Sequence, residues 1–127
     1  MAQSICFTPI GYVQNAFNAP APQERIAESE SRIIVDPSLA EGLRGLERFD
    51  RIMVVYHFHR SSGFSLLQHP RGDLARPRRG VFALHSPHRP NPIGVTLVDL
   101  LAVEGNVLRV RGLDAINGTP VLDIKPA

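Results

Sequence analysis

The chain has 127 residues, of which 43% are hydrophobic and 20% charged. That composition suits one globular domain over residues 1–127 and excludes low-complexity, collagen-like and strongly charged disordered classes. No apolar run nears the ~18–20 residues of a membrane-spanning helix. Met1-Ala2-Gln3-Ser4 has neither the basic start nor the apolar stretch of a secretory signal. A lone cysteine, Cys6, can form no internal disulfide and no Cys-rich zinc set. The expected setting is the cytoplasm. The net charge of +2 is unevenly spread. Residues 1–59 hold five Arg against seven acids, and residues 60–127 hold eight Arg and one Lys against five acids. In the stretch 60–89, Arg60, Arg71, Arg76, Arg78, Arg79 and Arg89 are opposed by Asp73 alone. Such a cluster beside a site could meet an anionic ligand such as RNA.

In chain order, Ile5 to Val13 is apolar and β-capable and predicts a first strand, with Cys6 as a buried, inert thiol. Residues 15–30 are polar and hold Pro20 and Pro22, which predicts an extended loop. Arg32–Val35 is a short strand. Asp36-Pro37 is an N-cap with proline at the first helical position, opening a helix to about Leu43 or Leu46 with Leu39, Leu43 and Leu46 on one face. Asp50–Phe58 is the strongest strand, and its Ile52–Tyr56 run predicts burial on both faces. Residues 60–79 form a long basic loop, of a length that is functional or mobile in compact domains. Gly80–Leu84 is a further strand, and His85–Pro92, with three prolines, is irregular. Val95–Val103 and Val107–Arg111 pair through a Glu104-Gly105-Asn106 turn; Asn117-Gly118 makes a second turn before Val121–Ile124. Some seven strands, one short helix, long loops and no βαβ alternation make the fold mainly β, a small barrel or strongly bent sheet.

Three stretches could carry chemistry. His85-Ser86-Pro87-His88-Arg89-Pro90-Asn91-Pro92-Ile93-Gly94 is stiffened by its prolines and offers Arg89 and Asn91 as a polar pair; a rigid connector with solvated side chains is the plain alternative. In Arg111–Pro126, Asp114, Asp123 and Lys125 are charges set among apolar residues. They either reach solvent, pair, or contact the amino-acid end of a ligand. In Tyr56-His57-Phe58-His59-Arg60 the two histidines share a strand face, but no third ligand with metal-site spacing accompanies them. There is no nucleophile elbow, Walker loop or G-x-G-x-x-G.

Two of these stretches resemble the paired signatures of the TsaA-like (TrmO) family: His85–Gly94, and Gly112-Leu113-Asp114 followed by Asn117-Gly118-Thr119-Pro120-Val121-Leu122-Asp123-Ile124-Lys125-Pro126. Gly11-Tyr12-Val13 and Gly45-Leu46-Glu47-Arg48-Phe49-Asp50 are also similar, so the resemblance covers about residues 5–126. It implies a small TsaA-like β-barrel that binds S-adenosylmethionine, a homodimer, and methyl transfer to N6 of threonylcarbamoyladenosine in tRNA. It also implies cofactor contacts at Pro22, Gln23, His59, Arg60, His85, Val95, Gly112, Leu113 and Asp114, with Arg89, Asn91, Asp123 and Lys125 forming or supporting the pocket. His59, Arg89 and Asn91 are the catalytic candidates, and Arg71, Arg76, Arg78 and Arg79 are the residues to meet tRNA. The chain departs from the family pattern in having His85 in place of Arg, and Ala21-Pro22-Gln23 in place of Pro-Arg-Gln. The alternatives are an S-adenosylmethionine-binding module without transfer, and a small-molecule methyltransferase.

Overall fold

The computed structural model describes residues 3–127. Its strands are β1 (Gly11–Gln14), β2 (Glu30–Val35), β3 (Arg51–His57), β4 (Leu67–Gln68), β5 (Arg79–Gly80), β6 (Ile93–Glu104), β7 (Val107–Arg111) and β8 (Pro120–Pro126), with one α-helix, α1 (Gln23–Glu28). Six strands close into an antiparallel barrel in the order β1-β2-β7-β6-β3-β8, and β4 and β5 form a separate two-stranded ribbon.

Alternation along the strands builds the core. Ile52, Val54 and Tyr56 point inward from β3 while Arg51 and Met53 point out. Ile33 and Val35 of β2, Val98 of β6, Leu108 and Val110 of β7, and Val121 of β8 meet them in one cluster. Closure removes the sheet edges that would otherwise expose unpaired backbone groups. The long strand β6 bends with a register shift between Leu100 and Ala102, and β3 shifts against β8 between Val55 and Tyr56. Such bulges bend strands sharply enough to close a small barrel. Asn106, in the β6–β7 turn, donates from Nδ2 to the Val35 carbonyl (2.7 Å) and accepts the Val35 amide (2.9 Å), tying that hairpin to β2.

Several elements differ from expectation. The first strand begins only at Gly11; Ile5 and Phe7 are exposed, as is Cys6, because the neighbouring ladders reach no further back than Gly11. Within the expected loop 15–30 a short helix forms after both prolines, with Pro22 as its N-cap residue. The segment Pro37–Leu43 is a 3₁₀ helix rather than an α-helix: Asp36 caps it through the Ser38 amide (2.9 Å), Leu43 is buried, and Leu39 lies exposed. Burial of β3 on both faces is not observed, since Met53 faces outward and is 37% exposed. The Gly80–Leu84 strand shrinks to the β5 pair, followed by a 3₁₀ turn over Val81–Ala83. No helix among the described residues is long and apolar enough to cross a membrane.

Candidate functional site

At one end of the barrel β3 runs out into Phe58–Ser61, β6 starts at Ile93, and three connecting segments fold over the opening. Gly94 sets the shape of the floor. A Cβ there would lie 2.6 Å from Tyr56 Cε2 and 2.8 Å from Phe58 Cζ, so only glycine lets both rings pack across β6. The rings meet edge to face, 5.4 Å between centroids. Tyr56 is buried at 3% exposure. Its hydroxyl must donate to the Asp114 carbonyl (2.8 Å), which can only accept, and therefore accepts from Thr96 Oγ1 (2.7 Å). Burial pushes the phenol up to about 12, against the Thr96 hydrogen bond.

The segment carrying Asp114 is fastened from several sides. Gly112, at φ 90°, turns the chain off β7, and its amide reaches the Ser29 carbonyl (3.1 Å). Asn15 Nδ2 donates to the Ala115 carbonyl (2.8 Å) and to Ser31 Oγ (3.0 Å), while its Oδ1 accepts the Phe17 amide (3.0 Å). The proline-rich segment is braced as well. Arg89 Nη1 donates to the carbonyls of Leu84 (2.8 Å) and Ser86 (3.2 Å), Ser61 Oγ to that of Pro87 (2.8 Å), and Gln68 Nε2 to that of His88 (2.6 Å). Arg89 thus holds its own loop, rather than pairing with Asn91 as a free polar fork.

Between these segments lies a cleft in two joined lobes. The first, of ≈ 570 Å³, is lined by Phe17, Pro22, Gln23, Phe58, His59, Arg60, His85 and Asp114, among others. The second, of ≈ 740 Å³, is lined by Arg89, Asn91, Ile93, Val95 and Leu97. Tyr56, Phe58, Gln23, Arg71, His85 and Asp114 line both. This size and mix of aromatic wall with few polar groups suits a small organic ligand. Asp114 is the carboxylate of both lobes. Its side chain reaches the surface, yet the cleft walls strip water from it and raise its carboxyl above the ordinary range, with Arg71 opposing the shift. His59 is held below the usual imidazole value by burial, then by the charges of Arg60 and His57, so its neutral form dominates at pH 7.

The sequence-predicted residues divide. Pro22, Gln23, His59, Arg60, His85, Val95, Arg89, Asn91 and Asp114 all line the cleft. Gly112 and Leu113 do not line it: Gly112 turns the chain off β7, and the Leu113 side chain belongs to the core at 2% exposure. Asp123 and Lys125 lie elsewhere. They pair with each other (3.1 Å) on β8, opposite Val55 and Met53, on the outer barrel face. The reason is strand parity: Ile124 opposes inward-facing Val54, so its neighbours must face out. Of the four arginines assigned to tRNA, Arg71 instead lines the cleft. Reading the sequence missed Phe17, Tyr56 and Phe58 as lining residues. The alternation Tyr56-His57-Phe58-His59 at a strand end was the available signal.

A closed antiparallel barrel whose end loops wall an aromatic cleft defines a small β-barrel ligand-binding domain, built without a glycine-rich phosphate loop. The chain belongs to the family described as the tRNA-methyltransferase O N-terminal domain, which it matches over residues 11–127. It is 46% identical over 122 residues to a probable S-adenosyl-L-methionine-binding protein of Methanothermobacter thermautotrophicus, covering 93% of this chain and 86% of that one. It is 40% identical over 131 residues to the human tRNA (adenine(37)-N6)-methyltransferase, covering 93% of this chain but 29% of that one. The crystal structure of TrmO from Pseudomonas aeruginosa superposes with a TM-score of 0.74 at 30% identity, over 98% of this chain and 56% of that one. The chain therefore spans just over half of the crystallised TrmO and under a third of the human enzyme.

Proposed function

We propose that the cleft binds S-adenosylmethionine and that the protein, in the cytoplasm, transfers its methyl group to N6 of threonylcarbamoyladenosine in tRNA. The observation that carries this reading is convergence: the 85–91 and 114–119 segments, far apart in sequence, wall one aromatic cleft with the Asp114 carboxylate in it. The residues fit the group. Phe58 and Phe17 offer flat apolar surface to an adenine, and Asp114 offers negative charge to a cation. S-adenosylmethionine, when bound, supplies a methyl group on a positively charged sulfur. Pro22, Gln23, Arg60, His85 and Val95 would hold and orient it. His59, neutral at pH 7, accepts the proton that the acceptor nitrogen must lose. Arg76, Arg78 and Arg79, exposed on the ribbon loop, meet tRNA phosphates. A homodimer brings a second copy against the exposed outer face of β3 and β6, at the rim of the second lobe that Ile93, Val95 and Leu97 line.

Calorimetric titration with S-adenosylmethionine, followed by labelled methyl transfer to tRNA, tests the reading. Binding with transfer, lowered in His59→Ala at unchanged cofactor affinity, supports it; absence of binding overturns it. A binding module without transfer is the second reading. It is favoured by the Methanothermobacter relative, matched over most of its length and named only for binding. Tight binding with no transfer to any tRNA decides for it.

A further inference from the structure

Three guanidinium groups stand at the cleft, and two are already tied to backbone carbonyls through one nitrogen each. Arg89 donates to the carbonyls of Leu84 and Ser86, and Arg60 Nη1 donates to the Asn18 carbonyl (3.1 Å). Arg71 differs. Among the described residues its side chain has no hydrogen-bond or ion-pair partner. It lines both lobes and acts on Asp114 only through space.

Its backbone is also unusual. Arg71 sits at φ 54°, ψ 25°, the only non-glycine residue among those described with positive φ, and Gly72 follows at φ 71°. An L-residue in that region costs on the order of 1 kcal/mol and persists only where its surroundings fix it. They do so here. Pro70 is buried before it, the Gly72 and Asp73 amides close onto the His69 and Pro70 carbonyls (3.0 Å each), and His69 Nδ1 bonds to the Arg76 carbonyl (2.8 Å). The turn is thus locked in a shape that puts a basic side chain at the cleft with its planar fork unengaged.

We propose that Arg71 is a specificity-determining residue that grips a carboxylate of the ligand, in the same cleft as the cation-favouring Asp114. A planar fork with two parallel donors matches a carboxylate's two oxygens. A positive pole and a negative pole in one cleft select a ligand carrying both charges. The inference rests on the reading that the cleft takes S-adenosylmethionine, and two sources can supply the carboxylate: the amino-acid end of that compound, or the threonyl group of the acceptor adenosine.

The test uses the full chain and its Arg71→Gln and Arg71→Lys variants, with thermal unfolding to establish that each is folded. S-adenosylmethionine and 5′-methylthioadenosine, which lacks the amino-acid end, are titrated into each. If the cofactor supplies the carboxylate, Arg71→Gln weakens S-adenosylmethionine about tenfold or more and leaves methylthioadenosine unchanged. If the acceptor supplies it, both affinities stay as they were, and KM rises by a similar factor for tRNA bearing threonylcarbamoyladenosine while the binding affinity for tRNA bearing plain adenosine is unchanged. Arg71→Lys, which keeps charge but loses the fork, falls between. Either pattern supports the inference. Wild-type binding with no change in any of these constants overturns it alone. Wild-type protein that binds neither adenosyl compound overturns the underlying reading and the inference with it.

Discussion

The barrel interior and the cleft wall are built on opposite rules. Inside the barrel, fully buried aliphatic side chains such as Ile33, Ile52 and Leu108 pack between continuous ladders. Over the opening, the 61–84 connection leaves Phe64, Leu66, Leu67, Leu74 and Phe82 exposed, and its only regular pairing is two residues against two. The first region is held by burial, which is strong and indifferent to direction. The second has only Pro70 and Val81 buried as apolar anchors, and is otherwise held by single hydrogen bonds from Ser61, Gln68, His69 and Arg89 to backbone carbonyls, each worth about 1 kcal/mol net. A rigid scaffold thus presents a wall that can open locally without unfolding the whole. Tyr56 and Gly94 are the seam, because their contacts belong to both regions.

Three substitutions sharpen that division. Ile33→Ala empties a fully buried site in the barrel and should lower unfolding free energy by about 2–5 kcal/mol in urea titrations. The folded fraction should keep wild-type affinity for S-adenosylmethionine, and a matching loss of affinity would erase the distinction between the regions. Gly94→Ala strikes the seam. Its new methyl would press on the Tyr56 ring, which cannot swing aside while its hydroxyl is bonded on both sides. A destabilisation of about 1–3 kcal/mol is expected, together with weaker ligand binding in calorimetry.

Tyr56→Phe keeps the ring and removes the hydroxyl, which should cost about 1 kcal/mol by leaving the Asp114 carbonyl short of a donor. It also carries a pH signature. The folded phenol ionises at about 12 and the unfolded one at 10.0, so the folded state keeps a proton that the unfolded state sheds. This contribution is complete below pH 10.0 and disappears as pH rises toward about 12. Wild-type stability measured across that window should therefore fall more steeply than that of the variant. Parallel curves would show that the hydroxyl is not buried as described.

Much of the barrel could be read from the chain. The continuous apolar run at Ile52–Tyr56, the Gly105-Asn106 turn and the Asn117-Gly118 turn each carry local signals that suffice for a strand or a reversal. The failures share one cause. Ile5–Phe7 has strand-forming residues but no ladder to join, and the outward side of β3 has core-type residues but no layer above it within one chain. Partners for a strand are a property of the whole fold and leave no mark on the strand itself.

The site shows the same limit more sharply. The two motif segments were legible as chemistry, and the chain brings Asp114, His85 and Arg89 to one cleft. Asp123 and Lys125 belong to the same motif by sequence, yet strand parity sends them to the outer face. Arg71 looked like one of four interchangeable surface cations, and a left-handed turn after a buried proline set it apart. Residue order fixed which chemical groups this protein owns and where its chain reverses. Which of those groups share a space was decided only by closure of the barrel, because each strand's register commits alternate side chains to opposite faces at once.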